Sequence, residues 1–568
     1  NIKMADLQTM RLREYARCWC IVQLVPFFDK LFNVAGAMDN RMLGPSDAYV
    51  RLPLILLSFV FPRVPLLAVA HAVNVASWAY WMPAVWDHMC WCAILEVTFL
   101  LTALFYRCEE RVAQMFLPAM RAQLVVLYVS AAFWKLTTSW FDLRSSCAAI
   151  LMSELLSSNL FPPLPQLDKF YKFMLDAAPV LVAGIEFAVP ASLYFVPRFG
   201  IVIALVFHQT INLMPMTYAG GFSIAMCSRL NVFADGALTR GLTRSADGFA
   251  IPVVLVSIIV SCMLVVHKGQ LDSAGTTFIA FTFLYLRGIA LGAPGAPEPK
   301  TASEGAGALR QLAWGIAFIY GFLLPVIGLQ AMASSTMYGN VKQFSGSNHF
   351  LVPTGLLQET YYDRTSGVGG LDSLMTDAFG GGLLRVDYAD SKVMLQLAPA
   401  EATAQLPPRA KKLLAESRST GRYFEMYAAR CYFERPMFNL SSTALHRGRD
   451  DKPEALAYVV TAFELRRVLA LARERNESFK VVYTKLPRGV RTVSEWRLFS
   501  GEQVALVHRG DGAASKCTIK GAAVEGAECA SDEVGLLPQP PKWLQWIFIP
   551  YPVPLIPGET HNEVHCST

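Results

Sequence analysis

Charge is what this sequence has least of. Only 17% of its 568 residues are Asp, Glu, Lys or Arg, against 54% hydrophobic residues and a mean hydropathy of +0.36. That balance excludes an ordinary soluble globular chain of this size and points to a membrane protein. There is also no basic block. The net charge of +6 is spread along the chain, so nucleic acid is not expected as a partner. Cysteines at metal-ligating spacing are missing too. Half of the 12 sit in apolar runs (Cys18, Cys20, Cys90, Cys92, Cys227, Cys262), where a thiol acts as a small hydrophobe. Cys90 and Cys92 are too close for a CxxC pair, so neither metal nor redox site is expected. No internal repeat with paired broken helices is found, which argues against a transporter. The chain opens on Asn1 rather than a methionine. A processed or truncated start is therefore expected, and the organelle is left open.

Long apolar runs are what it has instead. They cover residues 15–36, 52–82 (broken by Pro62-Arg63-Val64-Pro65, with His71 and Asn74 inside), 87–106, 112–137, 173–196, 199–214, 222–233, 251–267, 273–294 and 311–332. Residues 52–82 read as two segments or one kinked helix. The run 173–196 carries Glu186, and 273–294 carries Arg287. Phe161-Pro-Pro-Leu-Pro cannot be continuous helix, so the connection around it is re-entrant or superficial. The set amounts to roughly nine apolar segments of spanning length. Arg and Lys in the loops do not settle which side faces in.

The pattern changes near Met332. Residues 1–332 hold 23 of the 50 Lys and Arg and 19 of the 44 Asp and Glu, while the shorter remainder holds 27 and 25. The expected architecture is a polytopic α-helical membrane domain over 1–332, followed by a mixed α+β extramembrane domain over 333–568. Strands are expected at Leu384-Arg-Val-Asp-Tyr, Val393-Met-Leu-Gln-Leu and Phe479-Lys-Val-Val-Tyr, and a helix from Pro453 to Glu474. Cys517 and Cys529 could close a disulfide in an oxidising compartment. Asn439-Leu-Ser and Asn476-Glu-Ser fit the glycosylation pattern, which is frequent by chance.

The polar residues inside the apolar runs are the candidates for chemistry. Lys135 stands near the end of the run 112–137, in Tyr128-Val-Ser-Ala-Ala-Phe-Trp-Lys-Leu-Thr-Thr-Ser-Trp140. An ammonium at membrane depth is costly unless paired, hydrated or neutralised, which makes it a functional-site candidate. Two plainer readings stand beside that one. Lys135 could snorkel to an interface marked by Leu136, Trp140 and Phe141, or be a structural cation paired with Glu186 or Asp142. Asp87-His88 and His208-Gln-Thr-Ile-Asn212 supply further acids, bases and donors, although a lone histidine of this kind is more often structural. If their helices converge, these groups serve one cavity.

Tyr128 to Trp140 resembles the "Tyr-x-x-Ala-Gly-x-x-Lys-Leu-x-x-x-Trp" signature of the horizontally transferred transmembrane (HTTM) domain family, which includes vitamin K-dependent gamma-glutamyl carboxylase. Two more stretches resemble family segments in the same order: Trp86-Asp-His-Met-Cys-Trp, and Phe207-His-Gln-Thr-Ile-Asn through Gly221-Phe-Ser-Ile-Ala-Met. Thr336-Met-Tyr-Gly-Asn, Ser345-Gly-Ser-Asn-His349-Phe-Leu-Val-Pro and Phe463-Glu-Leu-Arg-Arg467 are similar to stretches in other HTTM relatives. The resemblance covers most of the chain through short motifs separated by diverged sequence.

The resemblance implies a lysine base at Lys135 acting on reduced vitamin K or another quinol, with His88 and His208 completing the catalytic set. It implies a quinol pocket lined by Trp134, Asn212 and Glu186. A base must be a neutral amine, a state that burial favours. Two departures bear on this: the family Gly is Ala132 here, and Trp134 sets an indole beside the base. The soluble part is also smaller than the carboxylase's substrate-binding region. The resemblance thus admits a quinol-dependent carboxylase or epoxidase, and equally a non-catalytic HTTM-fold subunit of a larger membrane complex. Expected partners are the lipid bilayer, a quinone or other lipid, and such a complex.

Overall fold

The computed structural model describes residues 4–31, 45–81, 87–143, 145–156, 164–213, 220–247, 273–292, 306–328, 335–339 and 347–354. Beyond these it describes 382–389, 447–449, 452–454, 457–463, 478–487, 489–508, 514–519, 553–555 and a few single positions. The expected run 251–267 falls largely outside these residues, as do Val393 to Leu397, Asn439 and Cys529.

The helices are α1 (Met4–Leu31), α2 (Arg51–Val60), α3 (Val64–Trp81), α4 (Asp87–Phe105), α5 (Glu109–Phe133), α6 (Cys147–Leu156), α7 (Asp168–Phe195), α8 (Pro197–Asn212), α9 (Gly220–Cys227), α10 (Gly236–Asp247), α11 (Ser273–Leu291) and α12 (Ala306–Phe318). Residues 52–82 are two helices. Pro62 and Pro65 disfavour helical backbone before them and lack the donor a helix interior needs, so the chain turns at Phe61 to Arg63. After α12 a π-turn, Ile319–Leu323, runs into a last short helix, Leu324–Val326. The run 222–233 is a short helix followed by the tight turn Leu230–Phe233.

Five helical stretches among the described residues are long and apolar enough to cross a membrane: Asp87–Phe105, Glu109–Phe133, Pro165–Phe195, Ala274–Leu291 and Gly307–Val326. They are not equivalent. The α5 window is 67% buried, the other four between 28% and 44%. Helix α5 is therefore the hub, packed against α1, α4, α7 and α12. The outward faces of the others leave Val180, Tyr194, Phe195, Leu286 and Trp314 exposed, as lipid-facing helices do.

The second part is an antiparallel sheet of β1 (Leu383–Ala389), β2 (Tyr458–Thr461), β3 (Phe479–Leu486), β4 (Gln503–His508), β5 (Ala514–Ile519) and β6 (Val553–Pro554), in the spatial order β5-β4-β3-β1-β2-β6. The strands expected at 384–388 and 479–483 are β1 and β3, which pair from Leu383 opposite Leu486 to Ala389 opposite Val481. The helix expected from Pro453 to Glu474 is corrected at its start. Lys452–Glu454 is a strand, and Tyr458-Val-Val-Thr461 is β2, paired with β1 and β6. Two adjacent valines and a threonine fit a pleated, buried position, and the open edge of β1 decides the matter. A helix, α13 (Val493–Leu498), packs beside the sheet, and its last carbonyls are held by Arg385 of β1.

Candidate functional site

The site begins where α5 runs out. The last four carbonyls of any helix lack an intrahelical donor. Here the Ser130 carbonyl accepts the Trp134 amide at 3.0 Å, the Ala132 carbonyl the Lys135 amide at 3.2 Å, and the Phe133 carbonyl the Leu136 amide at 3.0 Å. The fourth, of Ala131, accepts the Lys135 ammonium at 3.2 Å. Side chains near a helix end lean back towards its N-terminus, and a cation at the C-terminus complements the macrodipole. Lys135 thus caps the helix that carries it.

Its other contacts come from farther off. Nζ donates to the Met337 carbonyl at 3.1 Å and forms an ion pair with Glu186 Oε2 of α7 at 2.6 Å. Trp140 lays its ring 5.3 Å from the ammonium, within cation–π range. Lys135 is 3% exposed, which removes the snorkelling reading: the ammonium lies inside the protein. Of the two proposed partners, Glu186 is the one that pairs. Trp140 is itself fixed, donating Nε1 to the Pro179 carbonyl of α7 at 2.8 Å.

Trp134 points to a different flank. Its indole donates to the Gly321 carbonyl of the π-turn at 2.7 Å, and Ser335 Oγ donates to the same carbonyl at 2.6 Å. A π-turn exposes carbonyls that an α-helix would use internally. Behind it Gly339 brings backbone against backbone: a Cβ there would meet the Trp134 carbonyl at 2.5 Å. Residues 347–354 then form a strap over the α5 end. Thr138 N–H donates to the Asn348 carbonyl at 2.8 Å, Phe350 N–H to the Leu136 carbonyl at 2.9 Å, and Asn348 Nδ2 to Ser139 Oγ at 2.7 Å.

The histidines lie elsewhere in the bundle. His208 of α8 lies 3.2 Å from the Tyr128 hydroxyl through Nε2 and 3.2 Å from Ser223 Oγ through Nδ1. Tyr128 is seven residues before Lys135, about 10 Å along the same helix. His88, beside Asp87 with Nδ1 3.4 Å from its Oδ1, shares Phe222 with His208: the ring centroids are 6.4 and 4.9 Å from it. Asn212 Nδ2 lies 3.4 Å from both Gln209 Oε1 and the Gly275 carbonyl. The predicted set therefore divides. Lys135 and Glu186 meet directly, His88 and His208 flank one phenylalanine, and Tyr128 links His208 to α5. Neither histidine touches the ammonium among the described residues.

A second buried polar cluster was not anticipated. Glu96 of α4, fully buried, accepts Trp19 Nε1 at 2.7 Å and Asn74 Nδ2 at 2.8 Å, and lies 3.7 Å from Arg229 Nη2. His71 packs edge-on against Trp19 and Phe99, with Nε2 3.3 Å from the Tyr15 hydroxyl. Arg229 also donates to the Ala225 carbonyl. The signal was available, since Glu96 is the one acid after Asp87 in the run 87–106.

No group of three or more His, Cys, Asp or Glu able to hold a metal ion occurs among the described residues. Residues 347–546 match a protein family described as a domain of unknown function (DUF8388). No curated protein and no solved structure matches the chain. The matched region opens on the strap.

Proposed function

We propose that the chain is a multi-pass membrane protein of the HTTM kind whose buried site performs acid–base chemistry on a lipid-soluble quinol. The observation that carries this reading is the 2.6 Å pair between Lys135 Nζ and Glu186 Oε2. In a low-dielectric interior a buried ion pair competes with its neutral form, amine plus carboxylic acid. A proton moving along that contact leaves a neutral amine, the only state of lysine that can act as a base. Lys135 is then the base, and Glu186 holds the displaced proton. Tyr128, His208 and Ser223 supply a second set of hydrogen-bonding groups, and Phe222 with His88 offers ring surface for a planar ligand. A quinol, reduced vitamin K being the one the resemblance implies, supplies the acidic hydroxyl and the reducing equivalents when bound. Its aromatic head suits these ring faces.

A second reading is favoured by one observation. The three ammonium hydrogens have three acceptors, the Ala131 and Met337 carbonyls and Glu186, as for a structural cation. The protein would then be a non-catalytic subunit of a larger membrane complex. Protein in lipid nanodiscs should convert reduced vitamin K or a co-purifying quinol, identified by mass spectrometry. Lys135→Met should abolish that conversion, and Glu186→Gln should slow it. Wild-type protein that turns over no quinol supplied leaves the scaffold.

A further inference from the structure

His349 sits at the centre of the strap, and the chemistry of its partners fixes its protonation state. Nδ1 receives the backbone N–H groups of Leu351 and Val352 at 3.2 and 3.1 Å. Since these can only donate, Nδ1 can only accept. Nε2 faces the Phe133 carbonyl at 3.0 Å, which can only accept, so Nε2 carries the proton. Both nitrogens are thus committed in one neutral tautomer. The carbonyl it holds belongs to the last turn of α5, two residues before Lys135.

We propose that His349 is a positioning residue for Lys135: as a neutral imidazole it clamps the strap onto the end of α5, and protonation at Nδ1 releases the strap. A proton on Nδ1 would face two N–H donors, so the inner turn of the strap must open. With it go the two cross-links, from Thr138 N–H to Asn348 and from Phe350 N–H to Leu136. Among the described residues no acidic side chain pairs with the ring. From α5 the ring meets Phe133 and Trp134, with centroids at 4.6 and 5.0 Å, and from its own strap the Leu351 and Val352 backbone amides. The π-turn adds Phe322 behind Phe133. The charged side chain nearest in sequence to the Phe133 carbonyl, Lys135, is engaged by Glu186. Burial accordingly holds the His349 imidazole below its ordinary value of 6.5, opposed only by the Phe133 carbonyl.

The sign follows. A base whose folded-state value is depressed keeps its stabilising contacts above about pH 6.5 and loses them as pH falls through the lower folded value. The inference rests on these hydrogen bonds and not on turnover, so it stands or falls apart from the quinol reading.

Hydrogen–deuterium exchange on the full chain in phosphatidylcholine nanodiscs, corrected for intrinsic rates, tests it. Peptides covering 133–141 and 347–354 should show constant protection above about pH 6.5. Between about pH 6.5 and the lower folded-state value protection should fall about tenfold per pH unit, as one linked proton requires, and then level off, in both segments together. His349→Asn keeps an acceptor near the Nδ1 position but cannot titrate, and should give a flat, lower profile. A flat wild-type profile overturns the proposal. So does a wild-type midpoint at or above 6.5, an Asn variant that titrates like wild type, or a loss spread equally through Glu109–Phe133. If the variant is unprotected at every pH, the wild-type midpoint decides alone.

Discussion

Replacing Lys135 by methionine removes a charge and three donors while keeping most of the volume, so its cost measures the pair with Glu186. The lysine side chain is 3% exposed and that of Glu186 14%; water can compensate neither. Once the ammonium is gone, Glu186 is a buried carboxylate without its counter-charge, and the Ala131 and Met337 carbonyls lose a donor. Breaking one side of a buried pair costs about 3–5 kcal/mol. Glu186→Met alone leaves the ammonium two carbonyls and should cost about the same or slightly less. The double variant Lys135→Met/Glu186→Met carries no orphaned charge. Apolar replacement of a whole buried pair is often close to neutral, so the deficit should shrink to about 1–3 kcal/mol for the unmatched carbonyls. The coupling energy from equilibrium unfolding in mixed micelles should therefore be at least about 2 kcal/mol, well above the scatter expected of independent sites. Single-variant costs that add to within about 0.5 kcal/mol would refute the pairing.

Two further outcomes follow from packing. Glu96→Ala should destabilise the bundle by about 3–5 kcal/mol, since Trp19, Asn74 and Arg229 all lose their buried partner; Glu96→Gln, which keeps an acceptor, should recover part of this in the same unfolding assay. Gly339→Ala should cost about 1–3 kcal/mol because its Cβ would fall 2.5 Å from the Trp134 carbonyl, whereas Gly315→Ala, with nothing within 4 Å of its Cβ, should be neutral or stabilising by up to about 1 kcal/mol; equal melting points for the two would contradict the close approach.

The residues easiest to find in the sequence were charges in apolar surroundings. Lys135 and Glu186 stand out because each is costly where it sits, and their pairing was one of two partners offered. Glu96 carries the same signal. What makes it a cluster is not local, since its partners Trp19, Asn74 and Arg229 come from distant parts of the chain. The strap could not be read in advance, since what makes His349 matter is the Phe133 carbonyl 216 residues away. The strand Tyr458–Thr461 failed for a related reason. A short apolar run is helical or extended according to what lies beside it, and its neighbour is β1, some 70 residues earlier. The division of polar groups between the α5 end and the Phe222 region depends on how α5, α8 and α9 are rotated about their axes, which local pattern does not specify.

The π-turn at Ile319–Leu323 bears on which insertions and deletions the gene can tolerate. Such a turn accommodates one residue more than an α-helix would hold over the same length. Deleting one residue from it could restore an unbroken helix from Ala306 to Val326, and by hydropathy the segment would look undamaged. The residues after the deletion would keep nearly their place, because the turn absorbs its extra residue over the same length. The Gly321 carbonyl that seats Trp134 and Ser335 would nonetheless be taken up internally, so the Lys135 flank would lose its anchor on this helix. Single-residue deletions here should therefore be selected against far more strongly than substitutions at the outward-facing Trp314 or Phe318.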